Sequence, residues 1–155
     1  LETHPHLLVL RAFTKLYSLA GIRLGHLVGN AQLLKSISPF GAEWSVSIPA
    51  QVCGIEALKQ EPSWSIETKN FITKEKKFMI DSLEMLGLKV FPAAANFMLV
   101  QSKIPLFETL RDSGLLVRDC SNFDGLDEHY IRIGLLSHEA NLELIREIRR
   151  IVNVK

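Results

Sequence analysis

The residues whose side chains could most clearly take part in a reaction lie together between Arg11 and Gly25, in the segment RAFTKLYSLAGIRLG. Lys15 carries an amine that can condense with an aldehyde, provided that a fixed strand end holds it and nearby positive charge favours the neutral amine. Eight residues later, Arg23 presents a rigid fork of donors that matches a phosphate group in two-point contact. Gly21 and Gly25 would let the backbone turn tightly on either side of that arginine. A solvated turn would account for the lysine or the arginine taken alone.

Apolar runs and turn residues predict the elements that position this segment. Residues 7–10 are typical of a strand buried on both faces, and residues 23–28 are typical of a second one. Helices are predicted over residues 31–36 and 48–58, with Pro49 tolerable only in the first turn of the latter. The chemical segment is therefore expected to connect two strands.

The second half of the sequence predicts a different mixture of elements. A long helix is expected over residues 65–86, with one apolar stripe that ends near Gly87. Its stripe consists of Ile72, Met79, Leu83 and Leu86. Strands are expected over residues 89–91, 96–101, 115–118 and 130–136, and a helix over 106–113. Ser137 would cap a final helix that buries Leu142, Ile145, Ile148 and Val152. This pattern predicts a compact α+β domain.

Composition and charge exclude several classes of function. The 155 residues carry a formal net charge of +1, so nothing favours attraction to a polyanion, and no nucleic-acid partner is expected. No apolar run is long enough to span a bilayer, and the first residues lack the charged-then-apolar order of a signal peptide, which predicts a cytoplasmic protein without a membrane partner. Cys53 and Cys120 lack metal-site spacing, and no metal is predicted. The basic cluster of Lys69, Lys74, Lys76 and Lys77 is interpreted as a solvated helix face.

The whole string around Lys15 resembles the lysine motif of the class I and II aminotransferases, a family of fold-type I pyridoxal 5'-phosphate (PLP) enzymes. The family has Ser or Thr before the lysine and then Gly-x-Arg-x-Gly. The matching positions are Thr14, Lys15, Ser18, Gly21, Arg23 and Gly25. The resemblance implies that Lys15 carries PLP as a Schiff base, that Thr14 contacts the cofactor and that Arg23 binds its phosphate.

One position of the motif departs from the family pattern. Where the family usually has Ser or Thr three residues before the lysine, this chain has Ala12, which offers no side-chain donor to the phosphate. A hydrogen bond to a charged group contributes about 1.5 to 3 kcal/mol, so the loss should weaken cofactor binding without abolishing it.

Two further segments resemble one branch of the family, the histidinol-phosphate aminotransferases and L-threonine-O-3-phosphate decarboxylases, and a third closely resembles the decarboxylases of that branch. They are EWSVS at residues 43–47, ANFMLV at 95–100, and RDCSNF at 118–123 together with YIRI at 130–133. The resemblance implies that Asn96 lies near the substrate and that Arg132 grips the substrate carboxylate. Asn96 could instead be a strand-end turn former, and Arg132 a paired surface residue. Arg118 could bind a substrate phosphate or pair with Asp119 or Asp124.

The resemblance implies an α/β fold, the carboxy-terminal part of a PLP-dependent transferase of the aspartate aminotransferase type. Residues 1–60 would complete the PLP-binding large domain, and residues 61–155 would form the small α+β domain. The implied activity of the longer enzyme, a homodimer, is decarboxylation of a small phosphorylated amino acid, threonine phosphate, in cobalamin biosynthesis. Aminotransfer of the histidinol-phosphate type and a non-catalytic fragment are the alternatives. The chain alone is expected to be inactive, because the family's aspartate partner of the PLP ring nitrogen belongs to the other half.

Overall fold

A computed structural model describes residues 3–153 of the chain. The chain divides after Thr68 into two compact units, and each unit combines strands with helices. The architecture is therefore α/β, as the sequence predicts.

Two antiparallel strands form the sheet of the first unit. β1 spans Leu8–Ala12 and β2 spans Gly25–Gly29, with the end of β1 opposite the start of β2. A 3-10 turn at Ala20–Ile22 lies in the connection between them. The pairing thus places both ends of the connection, which holds the lysine and the arginine of the motif, at one end of the hairpin.

The helices of the first unit begin at capping side chains. α1 spans Ala31–Ile37, and the side chain of Asn30 accepts hydrogen bonds from the first turn of the helix. α2 spans Ile48–Lys59 and follows Ser47, whose hydroxyl accepts from a backbone N–H of the first turn at 3.3 Å. Both helices confirm the predicted ones to within a residue, and Pro49 lies in the first turn as expected.

The first strand is present as predicted, but the prediction that it is buried on both faces is wrong. Four of its five residues are exposed, and Leu10 has 79% of its surface accessible. Within the described chain β1 pairs only with β2. The second strand begins at Gly25 and not at residue 23, because Arg23 has a φ of 57°, which no strand residue adopts.

The second unit is a four-stranded antiparallel sheet packed against helices. The strands are β3 (Lys89–Val90), β4 (Phe97–Gln101), β5 (Arg118–Asp119) and β6 (Tyr130–Gly134), in the spatial order β3-β4-β6-β5. The helices are α3 (Ser63–Met85, within which the division of the chain falls), α4 (Phe107–Asp112) and α5 (His138–Asn153). Alternation along β4 and β6 gives the sheet two unlike faces. Met98, Val100, Ile131 and Ile133 are buried in the core, whereas Phe97 and Arg132 are exposed on the outer face.

Three details of the second unit differ from the sequence prediction. The strand expected over residues 115–118 is reduced to Arg118–Asp119, because Leu115 donates its backbone N–H to Leu110 and so belongs to the end of α4. On α5, Asn141 and Leu144 are buried in the core, whereas Leu142 and Val152, which were predicted to be buried, are only half-buried. α3 buries Glu75 on its apolar stripe.

Candidate active site

The connection between β1 and β2 carries Lys15 on a turn whose backbone is held in a rarely adopted conformation. The carbonyl of Lys15 accepts the backbone N–H of Ser18 at 3.2 Å. Ser18 has a φ of 55° and Arg23 a φ of 57°, and within residues 3–153 these are the two non-glycine residues with positive φ. Such backbone strain persists only where the surroundings determine the conformation, and it concentrates at functional sites. One strained position lies three residues after the predicted lysine, and the other is the predicted arginine itself.

Buried and hydrogen-bonded aromatic residues hold this turn in place. Phe13 is buried and stacks on Tyr17 with ring centroids 4.9 Å apart. The Tyr17 hydroxyl donates to the Glu61 carboxylate at 2.6 Å, and this hydrogen bond, together with burial, raises the pKa of Tyr17. The indole N–H of Trp64 donates to the carbonyl of Leu16 at 2.6 Å. The residues just after the lysine are therefore fixed at two points.

Lys15 itself is exposed, and Thr14 is half-buried. Within the described part of the chain, the Lys15 amine makes no hydrogen bond and no ion pair. A lysine that has no carboxylate partner keeps its amine available for condensation with an aldehyde. The position of Lys15 at the end of a strand, on a turn held by its neighbours, is the one that the sequence predicts.

Arg23 follows the 3-10 turn and is exposed, and its Nη1 donates to the carbonyl of Ala20 at 3.4 Å. The remaining donors of the guanidinium are available to an anion. Gly25 is required by close approach, because a Cβ there would lie 3.0 Å from the carbonyl oxygen of Arg11. Gly21 has neither a positive φ nor a neighbour within 4 Å of its Cβ position, so nothing in the structure requires glycine there.

The donor set of this connection fits a phosphorylated aldehyde such as PLP. Lys15 supplies an unpaired amine and Arg23 supplies a guanidinium with free donors, whereas Ala12 adds no side-chain donor. Thr14, Lys15 and Arg23 lie in the first unit, and Asn96, Arg118 and Arg132 lie in the second.

Two arginines of the second unit face each other across neighbouring strands. Arg118 on β5 is the register partner of Arg132 on β6, and both side chains are exposed. Arg118 donates to the side-chain oxygen of Asn122 at 3.1 Å. No ion pair involves either arginine among residues 3–153. Like charges directly opposite each other on adjacent strands are destabilising. A bound anion would relieve the repulsion between these two guanidinium groups.

Asp119 does not form the ion pair with Arg118 that the sequence left open. Its carboxylate accepts from the backbone N–H of Ser121 at 2.9 Å and from the Ser121 hydroxyl at 2.7 Å. These hydrogen bonds lower the pKa of Asp119. Its neighbour Cys120 is buried, which raises the pKa of the thiol. The acid beside Arg118 is therefore hydrogen-bonded within a loop and forms no ion pair with the guanidinium.

Asn96 lies just before β4, next to the end of β6. Its backbone carbonyl accepts the N–H of Leu135 at 2.9 Å, and its side-chain amide has no hydrogen-bond partner within the described chain. Arg132 lies two residues before the end of β6, and its guanidinium lies over the ring of Phe97, the residue after Asn96. The fold thus brings Arg118 and Arg132 to the outer side of one sheet, and Asn96 lies in the loop just before the neighbouring strand β4.

Sequence reasoning missed the role of one lysine and one carboxylate in the second unit. Lys76, assigned to a solvated helix face, is half-buried and donates to the carbonyl of Ala93 at 2.8 Å. Glu75 is buried and accepts from the Asn141 amide at 3.0 Å, with the His138 ring nitrogen 3.2 Å away. A signal for Glu75 did exist, since it falls between Ile72 and Met79 on the apolar stripe of α3.

A comparison with known proteins identifies the family of this chain. Residues 1–148 match the family described as "Aminotransferase class I and II". The chain belongs to this family. Its members named below are PLP-dependent enzymes, and one more distant solved structure is a histidinol-phosphate aminotransferase from Sinorhizobium meliloti in complex with pyridoxal-5'-phosphate. The family resemblance predicted from the lysine motif is confirmed.

The relatives within the family have one of two enzyme names. A histidinol-phosphate aminotransferase from Methanosphaera stadtmanae is 29% identical over 98% of this chain and 43% of its own length. A threonine-phosphate decarboxylase from Salmonella typhimurium is 32% identical over 98% of this chain and 43% of its own length. The first name predominates among relatives at this level of similarity.

The fold agrees with a solved structure of the same family. The histidinol-phosphate aminotransferase from Clostridium acetobutylicum superposes with a TM-score of 0.88 and 28% identity, over 98% of this chain and 47% of that chain. This confirms the predicted fold class. The chain spans less than half of the length of each of these relatives. Separately, none of the helices described in residues 3–153 is long and apolar enough to cross a membrane.

Proposed function

We propose that Lys15 is the residue that binds PLP covalently in the whole enzyme, with Thr14 beside it and Arg23 as a ligand of the cofactor phosphate. The unpaired amine of Lys15, on a turn whose carbonyl at Lys15 accepts the backbone N–H of the strained residue Ser18, is the observation that carries this proposal. When bound, PLP supplies an electron sink for charge that develops at the substrate's α-carbon. The protein's own contribution is to hold the lysine amine and the phosphate ligand in fixed positions.

The substrate proposed for this enzyme is O-phospho-L-threonine. Its carboxylate and its phosphate are two anionic groups on one small molecule, and Arg132 and Arg118 are two unneutralised guanidinium groups opposite each other on one sheet face. In this assignment Arg132 binds the carboxylate, Arg118 helps to bind the phosphate, and Asn96 lies close to the substrate. A second charged anchor restricts rotation of the bound substrate and so selects the bond that breaks.

The proposed reaction is a decarboxylation. The bond between the α-carbon and the carboxylate breaks, carbon dioxide leaves, and a proton takes its place on the α-carbon, which gives aminopropanol phosphate. Such a product belongs to cobalamin biosynthesis, and the enzyme would act in the cytoplasm as a homodimer. In the same proposal, residues 1–60 belong to the large cofactor domain and residues 61–155 to the small domain.

An aminotransferase of the histidinol-phosphate type is the second candidate. The name that predominates among relatives of similar identity favours it. Histidinol phosphate also carries a phosphate that Arg118 could bind, and the dicarboxylate partner of amino transfer carries a carboxylate for Arg132. The two candidates share the arginine pair and differ in the bond that is broken.

The reaction can be tested by giving the whole enzyme each substrate in turn. With O-phospho-L-threonine alone, we expect release of carbon dioxide in proportion to enzyme and time, and little transfer of the amino group to 2-oxoglutarate. Carbon dioxide capture and chromatography of the amino products measure both outcomes. Conversion of histidinol phosphate with 2-oxoglutarate, with O-phospho-L-threonine left intact, would show that the decarboxylase assignment is wrong and the aminotransferase assignment right.

A further inference from the structure

The outer face of the sheet in the second unit combines cations with aromatic rings. The guanidinium of Arg132 lies 5.0 Å from the ring centroid of Phe97, and that of Arg118 lies 5.5 Å from the ring centroid of Phe123. Both rings are close to half exposed, with 43% of Phe97 and 46% of Phe123 accessible. Neither ring therefore belongs to the core, and a different reason is needed for their position.

The sheet makes room for one of these contacts. Phe97 is the register partner of Gly134, which has no side chain and no atom within 4 Å of its Cβ position. Arg132 lies on the same face two residues before Gly134, so its long side chain can extend over the ring of Phe97.

An aromatic ring and a carboxylate hold a guanidinium group in different ways. The attraction acts through the flat face of the guanidinium, so the N–H donors at its edge stay available to a ligand. A carboxylate partner would use those donors and neutralise the charge. Arg118 keeps all but the donor given to Asn122, and within residues 3–153 no acid pairs with either arginine.

We propose that Phe97 and Phe123 are positioning residues, which hold Arg132 and Arg118 in the orientation that binds the two anionic groups of the substrate. The two rings fix the guanidinium groups and, apart from the donor that Arg118 gives to Asn122, leave their N–H donors available to an anion. This proposal rests on the proposed function, because it takes the arginine pair as the substrate's anion site. It adds two aromatic residues that act through the arginines.

Kinetic measurements on the whole enzyme test the role of each ring. Phe97→Leu should raise the KM for the phosphorylated substrate about 2- to 5-fold, the factor to which one exposed cation–π contact converts, with little change in kcat. Phe97→Tyr keeps an aromatic face and should retain the original KM. Phe91→Leu is the matched control, since Phe91 lies under Lys89 at 4.6 Å on a neighbouring strand and has no place in the proposed site.

A chemical measurement separates failure of this proposal from failure of the proposed reaction. Phenylglyoxal modification of Arg118 and Arg132 is followed peptide by peptide by mass spectrometry, with and without inorganic phosphate. Phosphate should protect both arginines, Phe97→Leu should weaken protection of Arg132, and Phe123→Leu should weaken protection of Arg118. If phosphate protects neither arginine, or if both leucine variants keep the original protection, the positioning role is wrong whether or not the enzyme converts threonine phosphate.

Discussion

Arg132 and Arg118 face the same side of one sheet, but the proposed reaction gives them unlike tasks. We expect Arg132→Ala to remove most activity, because the carboxylate that it binds is attached to the bond that breaks. Arg118→Ala should mainly raise the KM for O-phospho-L-threonine, by about 10- to 100-fold, since a contact with the unreacting phosphate stabilises ground state and transition state alike.

Steady-state kinetics of purified variants check these expectations at the residue scale. Arg111→Ala is a suitable control, because Arg111 is an exposed arginine of the same unit that pairs with Glu108 on its own helix. A loss of kcat without a change in KM in Arg118→Ala, or an active Arg132→Ala enzyme, would contradict the assigned tasks.

Single residues differ in how far the sequence reveals them. Lys15, Thr14 and Arg23 belong to one local motif, and the resemblance of that motif to the family's lysine motif implies a cofactor site. Arg118 and Arg132 are fourteen positions apart, and only the strand register shows that they lie opposite each other. The rings beneath them could not be predicted at all, because a cation over an aromatic ring depends on side-chain geometry across strands.

At the element scale, a buried polar network joins α3 to the start of α5. The amide of Asn141 donates to Glu75 at 3.0 Å and to the carbonyl of Leu136 at 3.0 Å, and its oxygen accepts the backbone N–H of Leu136. His138 lies 3.2 Å from both carboxylate oxygens of Glu75. Burial acts to raise the pKa of Glu75, but the hydrogen bonds from Asn141 and His138 outweigh it and lower the pKa below 4.5.

This network predicts a loss of stability in acid. Because the folded pKa of Glu75 lies below its unfolded value, its contribution is fully present above that unfolded value and is lost as the pH falls through the folded pKa. Asn141→Ala leaves the buried carboxylate short of a donor, so the free energy of unfolding at pH 7 should fall by about 1 to 3 kcal/mol. The pKa of Glu75 should rise, and acid unfolding should begin at a higher pH.

Urea denaturation at a series of pH values between neutral and acid measures both effects. Asn153→Ala is the control, since Asn153 is an exposed residue at the end of the same helix. Equal stability of the Asn141 variant and the unchanged protein at neutral pH would show that Asn141 does not support the buried charge.

Local sequence patterns predict the bounds of the helices better than they predict which elements are buried. α1, α2 and α3 begin and end within about two residues of their predicted bounds, because capping residues and Gly87, with a φ of 78°, mark them. The burial of β1 was predicted wrongly, since an apolar run indicates burial only if something packs on both faces. Glu75 was overlooked because its burial depends on donors from a helix some sixty residues later.

At the scale of the whole molecule, the chain spans less than half the length of its relatives, so cofactor binding is a property to be tested on the whole enzyme. Several large apolar side chains of the first unit are exposed. On α2 these are Ile48, Val52, Ile55 and Leu58. Contiguous apolar surface of this kind marks a place where another polypeptide segment packs, which is consistent with the proposal that residues 1–60 complete a larger domain.

The assignment of Lys15 as the cofactor lysine is the central claim, and borohydride reduction of the PLP-loaded whole enzyme tests it most directly. Reduction fixes the cofactor to its lysine, and mass spectrometry of the digested protein then identifies the modified peptide. We predict one pyridoxyl group, on the peptide that contains Lys15, present in a Lys35→Ala control and absent from Lys15→Ala. A pyridoxyl group on another lysine, or one that persists in Lys15→Ala, would contradict the account.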